Sequence, residues 1–171
     1  MPITDVDGPA TNRGWHVRDL LPAELGSDAV RGLMHLACGF GGARLDAVIR
    51  EELPALTVTA VVPASGLSDS APGPTSDALP IALAAFRSDG SDGSPAVIEY
   101  LATAPRHQHE GLASLLIDEV RRRHPKAAVI AETDDDAIGF YRTLGFADEP
   151  ATDPRWPDTP RYRCTLAPAG C

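Results

Sequence analysis

The spacing of apolar residues along this chain predicts four helices and six strands. Apolar side chains recur every three to four positions in the helical segments, which are residues 27–38, 43–53, 111–124 and 136–144. The strand segments are rich in apolar and β-branched residues; they are residues 15–21, 56–64, 81–87, 96–104, 127–133 and 161–166. The order is therefore strand, two helices, three strands, helix, strand, helix and strand.

The central part of this order predicts a mixed sheet. A Ser-Asp-Gly turn over residues 88–95 joins two strands, which favours an antiparallel hairpin. The helix at 111–124 then connects strands 96–104 and 127–133, and a crossover of this kind makes the two strands parallel. Part of the sheet is therefore parallel.

Two segments lack this periodicity. Residues 1–14 are polar and are predicted to be a disordered lead, so that residues 15–171 form a single domain. Residues 65–80 are rich in Ser, Pro, Gly and Asp and are long for a connection within a compact domain. This segment is either a mobile surface connection or a lid over an acceptor site, and the sequence leaves both interpretations open.

Composition narrows the class of protein. Acidic residues outnumber basic ones by 24 to 15, and the net charge of −9 argues against nucleic acids and anionic membranes as partners. The N-terminus lacks the order of a signal peptide, and the three cysteines are far apart, which suits a cytoplasmic protein with reduced thiols. None of the cysteines has an adjacent histidine to activate it as a nucleophile.

Two motifs carry the chemistry. Gln108-x-x-Gly111-x-Ala113 follows a strand and opens a helix, whose free N–H groups and dipole favour a phosphate group. Further along, the segment AIGFYRTLGF covers residues 137–146. Together these motifs resemble the Q/R-x-x-G-x-G/A and A-x-x-[F/L]-Y-x-x-x-G-F patterns of the GNAT superfamily, the acyl-CoA-dependent N-acetyltransferases. The resemblance is strongest over residues 96–146.

The resemblance implies a GNAT-type α/β (α+β) fold: a mixed, mostly antiparallel twisted sheet with helices on both faces and a splayed parallel strand pair. Acetyl-CoA would lie in the splay as the acyl donor. Its pantetheine arm would pair with the backbone of Leu101, Ala102 and Thr103, and Asp134 would contact the same arm. Its pyrophosphate would be held by the loop and the first helical turn, formed by Gln108, His109, Glu110, Gly111, Leu112, Ala113 and Ser114.

Several positions have a second interpretation. Glu110 stands where the family usually has a basic residue, and it would oppose a pyrophosphate unless it points to solvent or pairs with a cation such as Arg106. His107 and His109 could ligate a metal, but nothing nearby completes such a site, and we expect no metal. Asp134 and its neighbours Thr133 to Asp136 could equally cap the following helix or attract cationic amines.

The resemblance also implies catalytic roles. Tyr141 would protonate the thiolate of CoA as it leaves; its alternative role is to pack its helix on the sheet. Glu99 would accept the proton of the amine, directly or through water, or it forms a surface ion pair with Arg87. Glu132 is the second candidate for the base. From alternation along the strand, Glu99 should share a face with Leu101 and Thr103.

The predicted function is transfer of an acetyl group from acetyl-CoA to a primary amine, by direct attack within a ternary complex. The acceptor would be a small molecule or a peptide. The alternative is a non-catalytic CoA-binding or partner-binding module of the same fold. Because many GNAT proteins are dimers, the resemblance also suggests a homodimer.

Overall fold

A computed structural model describes residues 14–64, 78–90, 93–154 and 157–169. Its strands form a single sheet in the spatial order β1-β2-β3-β4-β5-β7-β6. The strands are β1 Trp15–Asp19, β2 Thr57–Pro63, β3 Ala82–Arg87, β4 Ala96–Thr103, β5 Val129–Thr133, β6 Ala147–Ala151 and β7 Arg161–Leu166. The six predicted strands are all present.

The pairing of β4 with β5 is parallel, and every other strand pair in the sheet is antiparallel. The parallel pairing runs from Ala96–Val129 to Ile98–Ala131 and ends there. β4 continues to Thr103 along β3, whereas β5 continues to Thr133 along β7. The two strands therefore part in the middle of the sheet, as the predicted splay requires.

The seventh strand, β6, was not predicted from the sequence. Its residues, ADEPA, have low strand propensity and include a proline. β6 lies at the edge of the sheet and pairs with β7 alone. An edge position tolerates proline because one side of the strand needs no hydrogen-bond donor. Pairing with β7 rather than local preference therefore forms this strand.

The predicted helices are present with adjusted ends. They are α1 Asp28–Cys38, α2 Gly42–Ala47, α3 Leu112–Arg123 and α4 Ile138–Thr143. α2 continues through a π-helical turn, Val48–Glu52, into a 3-10 turn, Leu53–Ala55, so that together they cover the second predicted helix. α1 begins at Ser27, whose hydroxyl accepts a hydrogen bond from the Val30 N–H, and it ends at Gly39 in the left-handed conformation.

The helices cover both faces of the sheet. In β3, Leu83 and Ala85 pack into the core formed with α1 and α2, whereas Ala82 and Ala84 pack against α3. Successive strand residues point to opposite faces, so α3 lies on the other face from α1 and α2. The C-terminal end of α3 is held to the sheet edge by Asp19, whose Oδ1 accepts from the Thr59 hydroxyl at 2.6 Å and from Arg123 Nη1 at 2.7 Å.

Some predictions lie outside the described residues. The lead over residues 1–14 does so except for Gly14, whose carbonyl accepts a hydrogen bond from the Ala64 N–H. The segment 65–80 is described only from residue 78, so neither interpretation of it is tested. Within the described ranges, no helix has both the length and the apolar character needed to cross a membrane.

The packing of the core on the α3 side predicts that truncating a core leucine destabilises the protein more than truncating a surface leucine. Leu116 is fully buried among Leu112, Val61 and Ala84, whereas Leu21 is 66% exposed. Leu116→Ala leaves a cavity, and we expect it to lower the free energy of unfolding by about 2–5 kcal/mol. Leu21→Ala, the matched control, should change it by less than about 0.5 kcal/mol. Urea unfolding measures both, and equal effects would contradict the described packing.

Candidate active site

A cavity of about 650 Å³ opens where β4 and β5 part. Its walls come from four regions: the end of α1 and α2 with its π-helical turn, the middle of β4, the end of β5 with the start of α4, and the start of β7. Four sequence-predicted residues line it: Glu99, Leu101, Asp134 and Tyr141. Glu132, the second candidate base, lines it as well. A volume of this size is typical of small-molecule sites.

A β-bulge shapes the β4 wall. Ala85 of β3 pairs with Tyr100 and Phe86 pairs with Ile98, so Glu99 is the extra residue between them. The bulge interrupts the strict alternation of side chains along the strand. As a result, Tyr100 packs on the α1 face of the sheet, whereas Ile98 packs on the face that carries α3.

The bulge corrects one prediction. Glu99 was expected to share a face with Leu101 and Thr103. Its carboxylate instead lies 3.1 Å from Nε of Arg87, which follows Leu83 and Ala85 on the α1 face of β3. Leu101 packs on the opposite face, against the core beneath α3. The expectation was wrong because an inserted residue reverses the alternation.

The two candidate bases have different surroundings. Glu99 forms the predicted ion pair with Arg87 and also lines the cavity. Its side chain is 27% exposed. Glu132 is exposed, and no described side chain forms a hydrogen bond or ion pair with it. Of the two candidate bases, Glu99 therefore has a cationic partner and Glu132 has none among the described residues.

Tyr141 lies at the buried end of the cavity. Its ring makes edge contacts with Phe140 and Phe146, at 5.2 Å between ring centroids in both cases. The residue is 6% exposed, and burial raises the pKa of its phenol above the ordinary value. The hydroxyl therefore stays protonated at neutral pH and can donate a hydrogen bond or a proton. Tyr141 packs its helix against the sheet and at the same time lines the cavity.

Asp134 caps the turn before α4. Its Oδ1 accepts from the N–H groups of Asp136 at 3.2 Å and Ala137 at 3.3 Å, so it caps the turn that leads into α4. The N-cap residue of α4 itself is Ala137, and no side chain caps that helix, so the predicted cap lies one turn earlier than expected. Its Oδ2 lies 3.8 Å from a guanidinium nitrogen of Arg161. Arg161 lines the cavity from β7 and was not predicted as a site residue. It belongs to the strand motif RYRCTL, and no local signal separates it from the other arginines there.

The predicted phosphate loop has the geometry of a helix start. Gly111 precedes α3 with φ of 80°, and no side chain caps this helix start. A Cβ built at Gly111 would meet no described atom within 4 Å, so the space in front of the helix is open. The N–H groups of Leu112, Ala113 and Ser114 belong to the first turn, where no intrahelical acceptor exists. His109 is also left-handed, with φ of 66°.

The partner of Glu110 differs from the suggested one. Its carboxylate lies 3.1 Å from Nδ1 of His107 and not beside Arg106. The His107 ring in turn makes an edge contact with Trp15 at 5.3 Å. The carboxylate is thereby drawn back along the loop toward β1. Gln108 points toward the end of β4, with Nε2 3.5 Å from the Thr103 carbonyl oxygen.

The splay leaves one edge of β4 open. The Ala104 N–H donates to the Ile81 carbonyl on the β3 side. Main-chain groups alternate in direction along a strand, so those of Leu101 and Thr103 point to the other side, toward the gap. Ala102 is buried in the α1 core and pairs with Leu83. Ala102, Thr103 and the loop from Gln108 to Ser114 do not line the cavity itself; they lie along β4 and at the start of α3.

The wall formed by α1 and α2 contains polar residues that sequence reasoning missed. The Tyr100 hydroxyl donates to Oε2 of Glu52 at 2.7 Å, and the Arg44 guanidinium stacks 4.0 Å over the Phe40 ring. Burial, together with the charge of Glu52, raises the pKa of Cys38 to about 11. Burial and the hydrogen bond to Glu52 also raise the pKa of Tyr100. Both groups are therefore protonated at neutral pH.

The possibility of a metal at His107 and His109 finds no support in the side-chain arrangement. Across the part of the chain that the structure describes, no three His, Cys, Asp or Glu side chains are arranged to hold a metal ion. The His107 ring lies beside the Glu110 carboxylate and makes an edge contact with Trp15.

Solved structures share this architecture. Ard1 from Thermoplasma volcanium aligns with a TM-score of 0.63 and 17% identity, over 91% of this chain and 99% of that chain. The ribosomal-protein-S18-alanine N-acetyltransferase from Escherichia coli aligns with a TM-score of 0.60 and 17% identity, over 89% and 92%. A GNAT family acetyltransferase from Elizabethkingia anophelis with acetyl-CoA bound gives 0.58 and 14%, over 90% and 98%. At these identities the likeness concerns the fold.

A family model adds evidence from the sequence. Residues 77–148 match the model of the acetyltransferase (GNAT) domain, and this range contains β3, β4, α3, β5 and α4. No curated protein sequence matches the chain significantly. The family match and the shared fold confirm the resemblance found in the sequence: residues 77–148 are similar to the GNAT acetyltransferase domain, and the chain has the fold of the solved acetyltransferases.

Proposed function

We propose that this protein transfers an acetyl group from acetyl-CoA to a primary amine within a ternary complex. The observation that carries the proposal is the cavity at the splay of β4 and β5. A buried tyrosine, Tyr141, and the two candidate bases, Glu99 and Glu132, line this cavity beside the open edge of β4. Acid and base chemistry can then act on one reacting centre. The Elizabethkingia anophelis structure contains acetyl-CoA, which supports this donor for the shared fold.

The residues along the splay fit such a donor. The main-chain groups of Leu101 and Thr103 face the gap and would hold the pantetheine arm as a neighbouring strand would. The first turn of α3 would hold the pyrophosphate, because its N–H groups lack intrahelical acceptors and the space at Gly111 is open. Acetyl-CoA supplies the thioester whose acetyl group is transferred.

Two side chains would move protons. Glu99 would take a proton from the acceptor ammonium so that the nitrogen lone pair can attack the thioester carbon. Tyr141 would give its phenolic proton to the departing sulfur, and its burial keeps that proton in place until it is needed. The C–N bond forms and the C–S bond breaks. The nitrogen then loses a second proton, which restores the phenol of Tyr141, so the products are the neutral amide and the thiol of CoA, with one proton left on Glu99.

A non-catalytic CoA-binding module of the same fold is the second candidate. The ion pair between Glu99 and Arg87 favours it, because a paired carboxylate is less available as a base. Calorimetric titration with acetyl-CoA, combined with a thiol-release assay over a panel of primary amines, separates the two. Binding with turnover supports the transferase, binding without turnover supports the module, and absence of binding contradicts both.

Tyr141→Phe tests the acid. The substitution removes one hydroxyl and keeps the ring contacts with Phe140 and Phe146, so the fold should persist. We expect kcat to fall about a hundredfold, the usual scale for general acid catalysis. Because burial raises the pKa of Tyr141, the wild-type pH profile should show no loss of this acid below about pH 10. Unchanged turnover in the variant would reduce Tyr141 to a packing residue.

Glu99→Gln and Glu132→Gln form a matched pair for the base. Both side chains line the cavity, and both substitutions remove a charge with little change of shape. We expect Glu99→Gln to lower kcat about a hundredfold at pH 7 and Glu132→Gln to lower it less than about threefold. The reverse result would assign the base to Glu132, and two small effects would assign it to water.

Gly111→Glu and Gly111→Gln test the phosphate loop. Both variants carry the cost of a side chain at φ of 80°, about 1–2 kcal/mol, and they differ only in charge. We expect Gly111→Glu to bind acetyl-CoA about tenfold more weakly than Gly111→Gln, with the difference shrinking at high salt. Calorimetry measures both affinities. Equal affinities in two folded variants would place the pyrophosphate elsewhere.

A further inference from the structure

The cavity is acidic on balance. Four carboxylates line it, those of Glu52, Glu99, Glu132 and Asp134, against two guanidinium groups, those of Arg44 and Arg161. Glu99 is paired with Arg87, and Asp134 lies beside Arg161. Two carboxylates of the lining are thus left without a cationic partner among the described residues, one on the β5 wall and one on the wall formed by α2.

Glu52 is the carboxylate on the α2 wall, and it is held in place. Its Oε2 accepts a hydrogen bond of 2.7 Å from the Tyr100 hydroxyl, and no described arginine, lysine or histidine lies within ion-pair distance. A carboxylate offers about four acceptor positions on its two oxygens, so one hydrogen bond leaves most of them available. Tyr100 extends from β4 and therefore fixes the carboxylate relative to the sheet.

Glu52 and Tyr141 lie on different walls of the cavity. Glu52 belongs to the π-helical turn that follows α2, whereas Tyr141 belongs to α4. The amine that attacks the thioester must be neutral, so an ammonium group held by Glu52 cannot be the reacting one. A cation at Glu52 must therefore belong to another part of the acceptor. Arg44, stacked on Phe40, lines the same wall and would oppose such a cation at short range.

We propose that Glu52, oriented by Tyr100, binds a second positively charged group of the acceptor, so that the preferred acceptors are diamines or polyamines. This inference rests on the proposed acetyl transfer and adds the substrate class. The primary amine at one end of the acceptor reacts beside Tyr141, while the ammonium at the other end stays charged at Glu52. The net negative lining of the cavity favours entry of such a cation.

Three acceptors of equal length test the charge at the distal end: 1,4-diaminobutane, n-butylamine and 4-aminobutanoate. Their distal groups are cationic, neutral and anionic. We expect kcat/KM to be highest for the diamine, about tenfold above butylamine, and lowest for the aminobutanoate. The difference should arise mainly in KM, since the distal group acts in binding.

Three variants test the role of Glu52. Glu52→Gln keeps the shape and an oxygen that can accept from Tyr100, and it should bring the ratio of kcat/KM between diamine and butylamine close to one. Glu51→Gln is the matched control, because Glu51 is exposed, pairs with Arg50 on the surface and does not line the cavity; its ratio should equal that of wild type. Tyr100→Phe, which removes the orienting hydroxyl, should lower the ratio by about threefold.

Three results would overturn the proposal. The first two are equal kcat/KM for diamine and butylamine in wild type and a ratio of these values that is unchanged in Glu52→Gln. The third is a preference for 4-aminobutanoate, which would indicate that Arg44 rather than Glu52 binds the distal group. If none of the three amines is acetylated, the proposed transferase activity fails for these acceptors. The role of Glu52 is then tested by the binding of the diamine alone. Calorimetric titration of 1,4-diaminobutane onto the CoA-saturated protein should then show about tenfold weaker binding in Glu52→Gln than in Glu51→Gln. Equal binding would overturn it.

Discussion

The parallel pairing of β4 with β5 ends at Ile98 and Ala131, and the site depends on that end. Main-chain groups beyond it need other partners, because an unpaired backbone group in the interior is costly. Beyond this point β5 is paired only with β7 on its far side, and β4 is paired only with β3 on its far side. The open side of β4 is therefore a strand edge inside a folded domain, and a ligand with amide groups can complete it.

The bulge at Glu99 sits at the same point of the sheet. By adding one residue, it places Glu99 and Tyr100 toward the face that carries α1, while Leu101 packs beneath α3. Without the bulge, regular alternation would direct Tyr100 and Ile98 to the same face. The hydrogen bond between Tyr100 and Glu52 would then not form. The bulge thus connects the splay of the strands to the composition of the cavity wall.

Burial divides the polar groups of the cavity into different chemical roles. Tyr141, Tyr100 and Cys38 have raised pKa values because burial disfavours their charged forms. They are proton donors or neutral surface at physiological pH. The carboxylates lie nearer solvent or beside a guanidinium group, and they supply the negative charge of the lining.

The sequence by itself determined the order of elements, the parallel crossover and the two motifs, because helix periodicity, strand composition and glycine-containing turns are local properties. It also predicted Tyr141 and Glu99, which line the cavity, and Gly111, which precedes α3, since each belongs to a local motif or strand. Only the tertiary structure decided the remainder. β6 exists because β7 pairs with its edge, and the bulge at Glu99 follows from the register of β4 against β3. Glu52 and Arg161 are distant in sequence from the motifs and meet the cavity through packing, which no local pattern encodes.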